Sequence, residues 1–282
     1  MAYLLPEARR KAGQLFLLLP LLLAACTGEA TPAPAPTQTP LPPILNVGLS
    51  NSATALANRV ALPYADFSNG VTVNFVVGNN QTLFDDLEAG QLDAILVNHI
   101  PAGDDNWFNP VALDGLAIVV HPQNPLAAQG ASLSLSQIQA IFSGQMTNWA
   151  DVGGDPLEIL PVGRERGSDA RLIFDRRVLA EQRMSINSAI EPDNEALLAA
   201  VAANPSAIGY TMRSAVGEDV SVLPVEGVMP SPETTATQEY ALTTPLYFVS
   251  LQEPAGELRG FLAWLQSEAG QALLGEKFGR VS

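Results

Sequence analysis

Val162-Gly163-Arg164-Glu165-Arg166-Gly167-Ser168-Asp169-Ala170-Arg171 is the stretch on which the reading of this chain turns. The apolar run Ile159-Leu160-Pro161-Val162 before it reads as the end of a buried strand. After it, apolar residues at Leu172, Ile173, Val178 and Leu179 follow a helical spacing without the usual breakers. A strand, a short glycine-containing turn and a helix opening on Ser168 bring several free backbone N–H groups to one point. The helix dipole adds partial positive charge there, so an oxyanion can be held without a metal. Arg164, just before the turn, offers a planar fork of donors to the same anion. Taken alone, the same residues also fit an ordinary N-cap at Ser168 and a surface charge at Arg164.

Upstream, strand and helix patterns alternate. Ile44 to Leu49 reads as a strand, followed by the polar loop Ser50-Asn51-Ser52-Ala53-Thr54 and a helix from Ala55 to Phe67. Val71 to Val77 is a second strand, Thr82 to Ala89 a second helix ending at Gly90, and Asp93 to Val97 a third strand. This alternation points to an α/β fold with a parallel sheet. Ligands of such sheets sit beyond the carboxyl ends of the strands. Those ends carry Ser50, Asn51 and Ser52, Asn79 and Asn80, and Asn98 and His99, which together form a candidate half-site.

Downstream, Leu113 to Pro122 reads as a long buried strand of the kind that crosses between lobes. Ser134-Leu135-Ser136-Gln137 matches a capping box, with Leu135, Ile138, Ile141 and Phe142 on one helical face and Gly144 as the stop. Beyond the opening stretch come a helix from Asn194 to Ala203 and a strand at Ala207 to Tyr210. A strand at Val220 to Val225 is read as a return to the first lobe, followed by a Pro/Thr-rich loop from Gly227 to Gln238. Leu246 to Ser250 forms another strand, and Leu258 to Leu265 an amphipathic helix.

The first residues read as an address. Arg9-Arg10-Lys11, the apolar run Leu15 to Leu23 and Ala24-Ala25 before Cys26 describe a secretory signal over residues 1–25, too short to span a bilayer. Leu23-Ala24-Ala25-Cys26 looks like a bacterial lipobox, which makes Cys26 the site of lipid attachment. Residues 26–43, rich in Thr, Pro and Ala, read as a stiff solvated tether. The expected location is therefore extracytoplasmic, with the chain lipid-anchored to the cell membrane.

Composition excludes several classes of function. With 29 Asp+Glu against 14 Lys+Arg, a formal charge of -15, the chain is not built to bind nucleic acid. A dry site with directed N–H groups still binds an anion, because salt screens the remoter charges. A single cysteine rules out an intramolecular disulfide, and two histidines, His99 and His121, with no metal-ligand spacing argue against a metal site. No arrangement of nucleophile and base, nor any lysine-bearing phosphate loop, points to an enzyme, and no cofactor is expected.

Taken together, the chain resembles the solute-binding proteins of bacterial phosphate ABC importers. The resemblance is carried by Asp114 to Val120, by Ile141-Phe142-Ser143-Gly144 with Thr147-Asn148-Trp149, and by Gly163-Arg164-Glu165-Arg166-Gly167-Ser168. It continues through Ala207-Ile208-Gly209-Tyr210, Thr244-Pro245-Leu246-Tyr247 and Ser267-Glu268-Ala269-Gly270-Gln271, covering most of residues 44–282. It implies a two-lobed type II periplasmic-binding-protein-like fold with the ligand cleft between lobes. Residues 44–119 and 222–282 would form lobe I and residues 120–221 lobe II, with a hinge near residues 120 and 222. The implied ligand is inorganic phosphate, delivered by a monomer to an ABC permease in the membrane. The implied ligand set is Asn51, Ser52, Asn79, Asn80, Asn98, His99, Arg164, Gly167, Ser168 and Asp169. Two positions depart from the family pattern. Ser168-Asp169-Ala170 replaces the family's Ser-Gly-Thr helix start, and Asn98-His99 stands where the family tends to place an aspartate. Asp169 fits either a relocated acceptor that selects protonated phosphate or a first-turn carboxylate directed away from the cleft. His99 fits an anion donor or a strand cap. Two alternative functions follow from these departures. One is a receptor for another oxyanion or small anionic solute, such as molybdate, tungstate or sulfate. The other is a sensory or surface protein that has lost transport.

Overall fold

Alternation of burial along the strands sets the architecture, in a computed structural model that describes residues 43–281. The expected signal segment at 1–25, Cys26 and all but the last residue of the expected tether at 26–43 lie outside the described residues. The first strands and helices alternate as β1 (Ile44–Ser50), α1 (Thr54–Phe67), β2 (Thr72–Gly78), α2 (Asn80–Glu88) and β3 (Ala94–Val97). β1 pairs in parallel with both β2 and β3. All four residues of β3 are buried, Ala94 and Leu96 in one core and Ile95 and Val97 in another. A strand covered by helices on both faces reads as a continuous apolar run, which is why this one was legible.

β4 (Trp107–Val120) begins six residues before the expected strand. α3 (Pro125–Gln129) and α4 (Leu135–Ser143) follow it. α4 carries the expected capping box, and Gly144 ends it in the left-handed region at φ 81, which L side chains rarely adopt. The chain continues through β5 (Leu160–Arg164), α5 (Asp169–Phe174), β6 (Ala189–Glu191), α6 (Asn194–Ala202) and β7 (Ala207–Met212). It closes with β8 (Ser221–Leu223), α7 (Pro232–Ala236), β9 (Thr243–Ser250), α8 (Gly256–Gln266) and α9 (Glu268–Leu274). α7 lies inside the segment expected to be a loop from Gly227 to Gln238. Ser231 caps it through a second capping box with Thr234.

The strands form one sheet in the order β2-β1-β3-β9-β4-β7-β5-β6, with β8 also on β4. β4 joins two halves. Trp107 to Gly115 pairs with β9, whereas Leu116 to Val120 pairs with β7. Within the second stretch Leu116, Ile118 and Val120 enter one core, while Ala117 and Val119 enter the one on the other face. The expected return to the first half at Val220 to Val225 is not what the pairing shows. β8 lies antiparallel to Ile118–Val120, and Leu223 and Val225 are buried in a second-half core with Tyr240 and Leu242. Strand pairing reaches the first half again only at β9, so the sheet changes partners near Gly115 and Thr243 rather than near residues 120 and 222.

Candidate functional site

Five loops meet where the strand ends of the two halves face one another. From the first half come the turn Asn51–Ala53 after β1, Asn79 and Asn80 after β2, and Asn98 and His99 after β3. From the second come Glu165 to Ser168 after β5 and Pro192 to Asn194 after β6. Backbone and amide groups fasten the two sets together. The Asn80 N–H donates to the Gly167 carbonyl at 3.0 Å, and Asn194 Nδ2 donates to the Asn51 carbonyl at 2.8 Å.

Arg164, the last residue of β5, is 0% exposed. Its guanidinium donates to Asn194 Oδ1 and, at 3.2 Å, to the Pro192 carbonyl. Its Nε is buried with no partner among the described residues. Burial lowers the guanidinium's pKa from its ordinary value, while Glu165, Asp193 and Asp169 pull it back up. An arginine does not lose its proton under these conditions, so an unpaired buried donor on a fixed cation is a standing demand for an acceptor.

Ser168 caps α5 as expected, accepting from the Arg171 N–H at 3.2 Å and donating to the Glu165 carbonyl at 3.2 Å. The reading of Asp169 as directed away from the cleft is overturned. Its side chain is 1% exposed and reaches the first-half loops. Its two oxygens accept from Asn80 Nδ2 and from the Asn98 N–H, each at 2.6 Å. Burial pushes its carboxyl up to about 6, against the Asn98 and Asn80 hydrogen bonds and the Arg164 charge.

Further polar atoms in these loops are buried and unpartnered among the described residues: the Ser50 and Ser52 hydroxyls, Asn98 Oδ1 and His99 Nδ1. Ser50 lies close to the Asp169 carboxyl without completing a hydrogen bond. Burial lowers the His99 pKa from its usual value, and the Arg176 charge lowers it further, which favours the neutral imidazole. Asn79 is turned to another task. It caps α2 by accepting from the Thr82 N–H at 2.9 Å and packs its amide beside Gly167. Asn51 contributes its carbonyl rather than its side chain.

Sequence reasoning placed Ser50 in the candidate half-site but missed Asn194. Asn194 joins Arg164, the Thr211 hydroxyl and the Asn51 carbonyl. Its signal was its place at a helix start just after a strand, but that strand, β6, is three residues long and escaped notice. Among the described residues no group of three His, Cys, Asp or Glu side chains could hold a metal ion.

A family model described as a PBP superfamily domain matches residues 30–269. The chain belongs to the PBP superfamily. The phosphate-binding protein PstS of Bacillus subtilis is 31% identical over 161 residues, which cover 56% of this chain and 51% of that protein. The chain thus spans about half the length of this curated PBP relative. A Clostridium perfringens protein assigned as a phosphate ABC transporter substrate-binding protein, solved with bound phosphate, is 25% identical. That structure aligns at a TM-score of 0.78 over 85% of this chain and 100% of its own. An ABC-type phosphate transport receptor from Vibrio cholerae, at 24% identity and a TM-score of 0.69 over 84% of this chain and 100% of its own, shares the fold. The resemblance read from the sequence is met at the level of family and fold.

Proposed function

We propose that this chain is an extracytoplasmic solute-binding protein, anchored through lipid on Cys26 after removal of residues 1–25, that captures inorganic phosphate for an ABC permease. One observation carries this reading. Among the described residues, Arg164 Nε, the Ser50 and Ser52 hydroxyls and His99 Nδ1 are all buried without partners in loops that meet at one place. Such groups are costly to leave unpaired in a folded protein, and a tetrahedral oxyanion satisfies donors arriving from several directions. The names of the Bacillus and Clostridium relatives support phosphate as that anion.

The two sheet halves act as lobes, with β4 and β9 as the strands about which they close. Closure excludes water, and each N–H···O contact strengthens as the local dielectric falls. Asp169 sets the selectivity. A carboxylate beside a dianion is repelled unless one of the two carries a proton, and phosphate has that proton near neutrality where sulfate has none. The role is capture, with no bond made or broken.

Thermal unfolding with phosphate, arsenate, sulfate, molybdate and tungstate tests the proposal. Phosphate and arsenate at a hundred times their dissociation constants should stabilise the fold by about 2.7 kcal/mol, and sulfate should not. Equal stabilisation by sulfate, or by molybdate and tungstate alone, would move the ligand to another oxyanion. A second reading draws on Asp169 itself, because its carboxylate already accepts from Asn80 and Asn98. If no anion stabilises the protein, that carboxylate serves as a built-in anion and the chain is a sensory or surface protein.

A further inference from the structure

We infer that Asn194 aims Arg164 at the anion and latches the two halves over it, its amide holding the guanidinium by the oxygen and the first half by the nitrogen. This rests on the oxyanion reading above and deepens it.

The place of the amide follows from how α6 packs. Asn194, Leu197 and Val201, spaced three and four residues apart, lie buried along one face of that helix. Leu197 and Val201 press on Gly209 of β7, where a Cβ would come within 3.0 Å of the first and 2.9 Å of the second. A residue without a side chain lets the helix sit that close. Thr211, two residues on, points to the same side of the strand and is fully buried. Its hydroxyl donates to Asn194 Oδ1 at 3.0 Å. Helix and strand thus fix where the amide stands.

Chemistry then fixes which way it faces. The Arg164 guanidinium can only donate and the Asn51 carbonyl can only accept, so Oδ1 faces the first and Nδ2 the second. Together with the Pro192 carbonyl at 3.2 Å, Asn194 leaves Nε as the guanidinium donor without a partner among the described residues. Both of these acceptors are neutral. Arg164 belongs to neither of the ion pairs formed among the described residues, Arg59–Glu276 and Arg171–Asp175. Its charge is therefore oriented without being cancelled. A carboxylate in the same place would hold the guanidinium as firmly but compete with the anion.

The nitrogen side does separate work. Asn51 opens the turn after β1, so the 2.8 Å bond from Asn194 Nδ2 crosses from the second half to the first. It does so at the edge of a cleft of about 1110 Å³, lined by Thr54 and Asn58 of α1 and by Asn194, Leu198 and Ser214. Among the described residues, Asn194 alone both bonds the Arg164 side chain and crosses to the first half. Parting of the halves frees the amide that aims the arginine, so capture and closure are coupled through one side chain.

Calorimetric titration of inorganic phosphate into the wild-type protein, Asn194→Ala and Asn194→Asp tests the inference, with circular dichroism to verify folding and urea midpoints to follow stability. Asn194→Ala should bind phosphate at least ~10-fold more weakly, the scale of a lost hydrogen bond. Asn194→Asp keeps an acceptor for Arg164 but cancels its charge and faces the Asn51 carbonyl with an oxygen. It should bind more weakly still, by at least ~100-fold. Ile138→Val, a core change in α4 outside this network, should lower the urea midpoint yet leave phosphate affinity within about twofold, which separates loss of stability from loss of aim. Wild-type affinity in both folded Asn194 variants would overturn the inference and leave the oxyanion reading standing. Wild-type affinity in Asn194→Asp alone would overturn the latch and the need for a neutral acceptor. No phosphate binding by the wild type would remove the oxyanion reading and this inference with it.

Discussion

Asp114 and Asp169 are both aspartates at 1% exposure, yet one lies within the strand that joins the two halves and the other within the candidate site. Burial raises the pKa of each, and hydrogen bonds oppose it to different degrees. Asp169 has an acceptor role for each oxygen, in bonds of 2.6 Å from Asn80 and Asn98, and is pushed up to about 6. Asp114 accepts on Oδ1 only, from Gly115 at 2.7 Å and Ser214 at 3.2 Å. Among the described residues its Oδ2 is buried without a hydrogen bond, as is the neighbouring Ser214 hydroxyl. Asp114 is pushed up further, to about 7, although Arg213 pulls it down. Equal burial with unequal satisfaction means that one substitution should act in opposite directions at the two places.

The largest effect is expected at Asp169→Asn. The amide nitrogen has no lone pair to accept with, so it faces a donor with a donor, whereas even a protonated carboxyl keeps acceptor capacity. Leaving that donor unpaired should lower stability by about 1–3 kcal/mol at pH 8, read from the urea midpoint. An unchanged or raised midpoint would remove the distinction between the two aspartates.

Asp114→Asn should do the reverse. Its new N–H₂ group lies on the Oδ2 side, where the Ser214 hydroxyl can accept, and the buried charge is gone. We expect the unfolding midpoint at pH 8 to rise by an amount corresponding to roughly 1 kcal/mol. A fall of that size would mean that the Asp114 carboxylate supports the strand as an ion.

The smallest effect lies in the slope of stability with pH. Both carboxyls have folded pKa values above the unfolded value near 3.9, so the folded state binds more protons across the interval between them. Their contribution to stability is fully present below pH 4 and is lost as pH rises through about 6 and about 7. The unfolding free energy at constant salt should therefore decline from pH 5 to 8, and decline less steeply in Asp114→Asn. His99, with its lowered pKa, works against this trend near its own titration, so the difference between wild type and variant is the quantity to compare. A steeper decline in the variant would contradict the assignment.

What could be read from the sequence was local and periodic. Residues buried on two faces, such as Ala94 to Val97, left continuous apolar runs, and the capping box from Ser134 to Gln137 with Gly144 marked both ends of α4. Ser168 as the cap of α5 and Arg164 at the end of β5 followed from the same kind of signal. Pairing across the sheet left no such mark. β8 is three residues long, and its choice of β4 over the first half depends on where Leu223 finds a core. The direction of Asp169 was equally hidden, because a first-turn carboxylate suits either solvent or interior. Only the donors on Asn80 and Asn98, 89 and 71 residues away in the chain, decide between them. The expected signal segment, Cys26 and almost all of the tether lie outside the described residues.

The central claim is that Arg164 and its unpartnered neighbours form an oxyanion site. Calorimetric titration of phosphate into the wild-type protein and into Arg164→Gln tests it most directly, with circular dichroism to verify that the variant folds. The account predicts saturable binding at one site per chain in the wild type and a loss of more than about 100-fold in the variant. That loss, roughly 2.7 kcal/mol, fits removal of a buried charged donor. Equal binding by the folded variant, or no binding by the wild type, would contradict it.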